Sequence, residues 1–173
     1  MNQFKEIFDN QKAYFDSDAT KSYEWRIDQL TRLESLVNDN AQALEDAMSS
    51  DFKTASQEKV FEIMAPVGTA AFARAELKKW MEPVDVVIPK ALRESGHTAK
   101  VYREPYGVTL VIGPFNGPLT LLFDPAVQVI AAAIHAFSNS PKVCLPQVRS
   151  CWISCRSILI RAPLLQSREA ERR

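Results

Sequence analysis

The stretch VTLVIGPFNGPLTLLFDPAV, residues 108–127, places one asparagine, Asn116, between two glycine-proline pairs, Gly113-Pro114 and Gly117-Pro118. An apolar β-branched run stops at the first pair and another apolar run restarts at the second. A carboxamide held at such a turn offers a neutral N–H2 donor, useful where negative charge develops on an oxygen. The same side chain is suited to capping a following helix or holding the turn. Residue type alone leaves both roles open. Cys144, Cys151 and Cys155, with His135, raise the question of a metal, but a C-x6-C-x3-C spacing matches no common zinc pattern. No metal site is expected. His97 reads as an exposed loop residue. A G-x-G-x-x-G phosphate loop is absent, so the ordinary dinucleotide fingerprint decides nothing here.

Three regions surround these residues. Residues 1–83 are helical in pattern. Thr20 and Ser22 can cap a helix whose stripe runs through Trp25, Leu30, Leu33, Leu36, Val37, Leu44 and Met48. Asp51 is a candidate cap for a second helix, with Val60, Phe61, Met64, Phe72, Leu77 and Trp80 as its buried side. Pro66 lies inside that second pattern and is expected to kink or split it. Such stripes pack either on the rest of the same protein or on a partner.

Residues 84–133 read as short strands at Val84 to Ile88 and Lys100 to Arg103, a turn at 104–107, and the 108–127 unit. The continuous apolar run Val108 to Ile112 suits a strand buried on both faces of a parallel sheet. Pro118 can open a helix that continues from Leu119 to Ala133, interrupted at Asp124-Pro125. A strand, a tight loop and a helix form the unit from which nucleotide-binding α/β folds are made, and ligands collect at the carboxyl ends of such strands. From about residue 134 the periodicity fades, and Arg, Ser, Cys and Pro dominate.

Composition excludes several classes. The 173 residues carry 21 basic and 21 acidic side chains, so no net field draws nucleic acid or an anionic membrane. No apolar run reaches the roughly 18 residues that span a bilayer, and the amino terminus shows no signal-peptide core. The expected compartment is the cytoplasm. The odd number of cysteines makes no disulfide framework.

YREPYGVTLVIGPFNGPLTLLFDPAVQVIAAA resembles the segment of the NAD(P)-dependent aldehyde dehydrogenases written E-P-x-G-V-x-x-x-I-x-P-W-N-x-P. Glu104, Pro105, Gly107, Val108, Ile112, Pro114, Asn116 and Pro118 match it, and Phe115 stands where tryptophan is usual. The resemblance covers residues 1 to about 133. It implies an α/β fold: amino-terminal helices plus the start of a Rossmann-like parallel sheet, incomplete in this chain. It implies Asn116 as part of the oxyanion hole, with Ile112, Pro114 and Phe115 against the nicotinamide-ribose side of NAD or NADP. The implied reaction oxidises an aldehyde to a carboxylic acid through a cysteine nucleophile and a glutamate base, in a homodimer.

The continuation departs from that pattern. The resemblance calls next for a G-N-x-x-x-x-K-P-S-E strand and loop, whereas residues 134–173 read IHAFSNSPKVCLPQVRSCWISCRSILIRAPLLQSREAERR. Codons read one base early permit V-L-K-L-S-E from Ala136 to Lys142. From Cys151 they permit L-D-L-L-P-K-Y-F-D-P-R-A-V-T-A-V-E-G-G-R-E. Both strings resemble the family's continuation. Residues 134–173 are therefore expected to be an out-of-frame tail after a slip near Ala133 or Ile134. The catalytic cysteine and glutamate would lie beyond this chain, and Cys144, Cys151 and Cys155 are not the nucleophile. The alternative is a non-catalytic product or a helical partner-binding module. The purified 173-residue chain is expected not to oxidise aldehydes with NAD+ or NADP+. Cofactor-dependent turnover above background in a spectrophotometric assay would contradict this.

Overall fold

Ser22 sets the first register of the fold. Its hydroxyl accepts from the backbone N–H of Trp25 at 3.1 Å and starts a helix, as its position predicts. The computed structural model describes residues 3–51, 53–114 and 116–139. In chain order the elements are α1 (Gln3–Asp16), α2 (Tyr23–Asp39), α3 (Ala41–Asp51), α4 (Ser56–Met81), β1 (Val84–Asp85), α5 (Lys90–Glu94), β2 (Lys100–Val101), β3 (Val108–Ile112), α6 (Thr120–Ala131) and β4 (His135–Asn139). The stripe expected from Trp25 to Met48 is divided at Asn40, whose side-chain amide donates to the Leu36 carbonyl and closes α2. Thr20 is not a cap. Its buried hydroxyl donates to the Ala133 carbonyl at 2.9 Å, tying the start of the chain to the end of α6.

α4 lies between α2 and α6. Leu30, Leu33 and Val37 from α2, Ala70, Ala73 and Leu77 from α4, and Phe123, Val127 and Ile130 from α6 share one core. The buried face of α4 is Glu62, Ile63, Pro66, Ala70, Ala73 and Leu77, spaced at three and four residues. This corrects the face expected from apolar bulk. Val60, Phe61, Met64 and Phe72 are exposed, and only Leu77 of the expected set is fully buried. Small side chains fill the crowded side because two helices approach there, while the bulky ones line the opposite side. Phe72 there meets Trp80 edge-on, with centroids 5.8 Å apart.

Two prolines and one cap also depart from expectation. α4 runs unbroken through Pro66, and α6 runs unbroken through Pro125. Each loses one main-chain donor, a local cost of roughly 3 kcal/mol, which packing along the rest of each helix offsets. Asp51 ends α3, and α4 starts at Ser56 after Ala55, which offers no side-chain cap.

β1 pairs antiparallel with β2, Val84 opposite Val101. Both strands are shorter than their apolar runs, and α5 lies between them. β3 pairs in parallel with β4, Val108 opposite His135 and Ile112 opposite Asn139, so β3, α6 and β4 form a βαβ unit. β4 opens the segment expected to be out of frame. A ladder is built from main-chain groups, so its presence does not depend on frame. Of β3, only Val111 is buried, whereas Leu110 and Ile112 are open. The expected two-sided burial is not met among the described residues, because only one face of β3 is covered by α6.

α6 ends in a wound-back turn. Ala133 takes φ 60°, with its N–H bonded to the Ile130 carbonyl and the Ile134 N–H to the Val129 carbonyl. An alanine in this left-handed conformation is strained, where glycine is not. Ala133→Gly is therefore expected to stabilise the chain by up to about 1 kcal/mol, read as a higher melting temperature.

Candidate functional site

The turn between β3 and α6 owes its shape to what its glycines lack. A Cβ on Gly113 would stand 3.1 Å from Leu122 Cβ, and one on Gly117 would stand 2.8 Å from Leu121 Cδ1. The two glycines thus let the turn close onto the first turn of α6. Pro118 and Leu119 are buried, Pro114 is half-buried, and Asn116 projects outward, exposed. Ile112 is open at the carboxyl end of β3. Phe115 lies outside the described residues, as do Cys144, Cys151 and Cys155.

Asn116 does not cap α6. The position before the helix is Leu119, which has no side chain able to do so. The N–H groups of Leu119 and Thr120 instead donate to Glu62 Oε2 on α4, at 3.1 and 2.9 Å. Glu62 Oε1 accepts from Lys53 Nζ at 2.7 Å, and both side chains are almost fully enclosed. A carboxylate at the positive end of a helix dipole is favourable, and a buried ion pair holds only where hydrogen bonds satisfy it, as here. A Cβ on Gly117 would reach 3.4 Å from Glu62 Oε1, so this carboxylate lies directly behind the turn. Asn116 makes no side-chain hydrogen bond to any described residue.

The other end of α6 is held the same way with opposite charge. Arg26 Nη1 donates to the Ala131 carbonyl at 3.1 Å and Nη2 to the Lys21 carbonyl at 2.8 Å. Burial lowers the pKa of that guanidinium. On α6, near Thr69 and Glu62 of α4, the carboxyl of the half-buried Asp124 has its pKa raised above the ordinary value. Desolvation is the main cause, the Glu62 charge adds to it, and a hydrogen bond with Thr69 opposes it. Asp124 Oδ1 and Thr120 Oγ1 are both buried without a partner among the described residues.

Glu62, Lys53, Arg26 and Asp124 were not singled out by sequence reasoning. The available signal was Glu62 itself, a charged residue in phase with Pro66, Ala70, Ala73 and Leu77. Among the described residues, no group of three or more His, Cys, Asp or Glu is placed to hold a metal ion. Among them, too, no helix is long and apolar enough to cross a membrane.

Helices leading into a β3–turn–α6–β4 unit define an α/β chain built on one parallel βαβ unit. The chain belongs to the aldehyde dehydrogenase family, whose sequence pattern matches residues 1–137. It is 33% identical over 133 residues to the Rattus norvegicus aldehyde dehydrogenase family 3 member B1, covering 76% of this chain and 28% of that relative. It is 32% identical over 133 residues to the 4,4'-diaponeurosporen-aldehyde dehydrogenase of Staphylococcus aureus, again covering 76% of this chain and 28% of the relative. The chain therefore spans under a third of the length of these relatives. A substrate-bound structure of Staphylococcus aureus AldH superposes with a TM-score of 0.81 at 29% identity, covering 88% of this chain and 33% of that one. The succinic semialdehyde dehydrogenase of Streptococcus pyogenes, solved with NADP+, shares the fold with a TM-score of 0.72 at 13% identity, covering 94% of this chain and 34% of that one.

A carboxyl whose folded-state pKa is raised favours the fold while protonated. That contribution is present below the unfolded value and lost as pH rises through the folded one. Asp124→Asn is thus expected to raise the melting temperature at neutral pH, and the gain should vanish in acid below the ordinary value of 3.8. Paired melts across pH check this.

Proposed function

We propose that this chain is the amino-terminal part of an aldehyde dehydrogenase, and that Asn116 supplies an oxyanion donor when an aldehyde is oxidised to a carboxylic acid. The observation that carries the reading is the open carboxamide of Asn116 at the carboxyl end of a parallel strand, free of hydrogen bonds to other described residues. As an aldehyde is attacked, its oxygen turns from carbonyl-like to anionic. A fixed neutral donor aimed at that oxygen binds the transition state better than the ground state.

Ile112 and Pro114 give the nicotinamide side of NAD or NADP an apolar surface beside Asn116. Ile112 is 67% exposed at the strand end, which fits a side chain waiting for a flat apolar group. Phe115 would extend that surface. The cofactor, when bound, accepts the hydride. Residues that would hold its adenosine end are not among those described, and neither are the nucleophile and the base. The homodimer, the cytoplasmic compartment, and the absence of nucleic-acid or membrane partners belong to the same reading.

The frame slip near Ala133 is part of the proposal. The family's G-N pair is expected at this point, and Ala133 holds the left-handed conformation that glycine adopts without strain. Residues 134–173 would then be out-of-frame sequence. A second reading, a helical module that binds a partner, draws support from the exposed Val60, Phe61, Met64 and Phe72 of α4.

In a full-length enzyme with the frame restored, Asn116→Ala is expected to lower kcat by roughly 10²–10³, or about 3–4 kcal/mol, with little change in cofactor affinity. A turn or cap residue would instead cost about 1 kcal/mol of stability and leave turnover per folded enzyme intact. Measuring kcat alongside melting temperature separates the two.

A further inference from the structure

Asn116 stands three residues before Leu119, the spacing at which a cap side chain reaches the N–H of a helix's first turn. An asparagine there would ordinarily bend back and take that N–H. It does not, because Glu62 Oε2 already accepts from both Leu119 and Thr120. The carboxylate comes from α4, 57 residues earlier than Leu119, and is 3% exposed. Lys53 holds its other oxygen at 2.7 Å, which fixes the carboxylate and neutralises it. Gly117 leaves room for it behind the turn.

We propose that Glu62, fixed by Lys53, is a positioning residue for Asn116: it takes over the capping of α6 so that the asparagine carboxamide stays turned outward. The catalytic meaning of this rests on the reading of Asn116 as an oxyanion donor; the capping itself does not. With Glu62 gone, the three-residue spacing lets the side-chain amide oxygen of Asn116 accept from the Leu119 N–H. The carboxamide then swings inward and is lost to any substrate.

The test is a mutant cycle on the 15N-labelled 173-residue chain, read by NMR. The side-chain N–H2 pair of Asn116 is assigned by its loss in Asn116→Ala. Glu62→Ala alone takes away the close partner of the buried Lys53 and leaves it only Glu58 at 3.9 Å, so the working variants are Glu62→Ala with Lys53→Met, and Glu62→Gln with Lys53→Met. In the first, the Asn116 N–H2 signals should shift. Adding Asn116→Ala to it should lower amide-exchange protection at Leu119 by on the order of fivefold, whereas Asn116→Ala in the parent chain should leave that protection unchanged. In the second, the remaining amide oxygen still accepts from Leu119 and Thr120, and the Asn116 signals should match the parent.

Three results would overturn the proposal: Asn116 signals that do not move in the folded Glu62→Ala variant, equal effects of Asn116→Ala with and without Glu62, or failure of both Glu62 variants to fold. The last would make the pair a general core element. Failure of the oxyanion reading is a different result. Asn116→Ala would then turn over normally in the frame-restored enzyme while the exchange of caps in the NMR cycle persisted.

Discussion

A single buried carboxylate organises the turn that carries Asn116. Glu62 reaches from α4 to the first N–H groups of α6 and is matched there by Lys53. Four orphan donors at a helix start must find acceptors, and in this fold two of them do so through the tertiary structure. Two consequences follow. The turn before α6 is anchored to the helical core, and the polar residue in that turn makes no side-chain hydrogen bond to any described residue. A glutamine at position 62 would keep an acceptor but lose the match with Lys53, so the ion pair serves both geometry and charge.

α6 is consequently held at both ends by side chains whose opposite charges each complement the helix dipole, Glu62 at its start and Arg26 at its end. Between them, the small residues Ala70 and Ala73 let α4 come close, and Leu30, Leu33 and Val37 close the other side. β3 adds little of its own to this arrangement. Its role is to deliver the turn to the helix start at a fixed height, which the parallel pairing with β4 sets.

Much of this was legible in the sequence where a local rule applies. Ser22 caps a helix because hydroxyls accept from the third N–H, and Val108 to Ile112 forms a strand because β-branched residues between turns do so. The two glycine-proline pairs marked the turn, and the motif around Asn116 marked the family. The misses share a cause. Which face of α4 is buried depends on how near α2 and α6 come, and that distance is not written in α4. Pro66 was read as a kink or split and Pro125 as an interruption because the local cost is visible and the packing that keeps each helix continuous is not. Glu62 as a cap for Leu119 was illegible because no local pattern joins residues so far apart in sequence.

The bond from Thr20 to the Ala133 carbonyl spans 113 residues, and the Arg26 bond to Ala131 spans 105. Neither partner exists when the first helix emerges during synthesis. At the usual pace of translation, on the order of ten seconds separate the two ends of the longer bond. For that interval α2 and α4 present Leu33, Leu77 and the Glu62 oxygen that later accepts from Leu119 and Thr120 without the helix that covers them. The nascent amino-terminal helices are therefore a waiting platform. The chain can complete its native arrangement only after the α6 segment has left the ribosome.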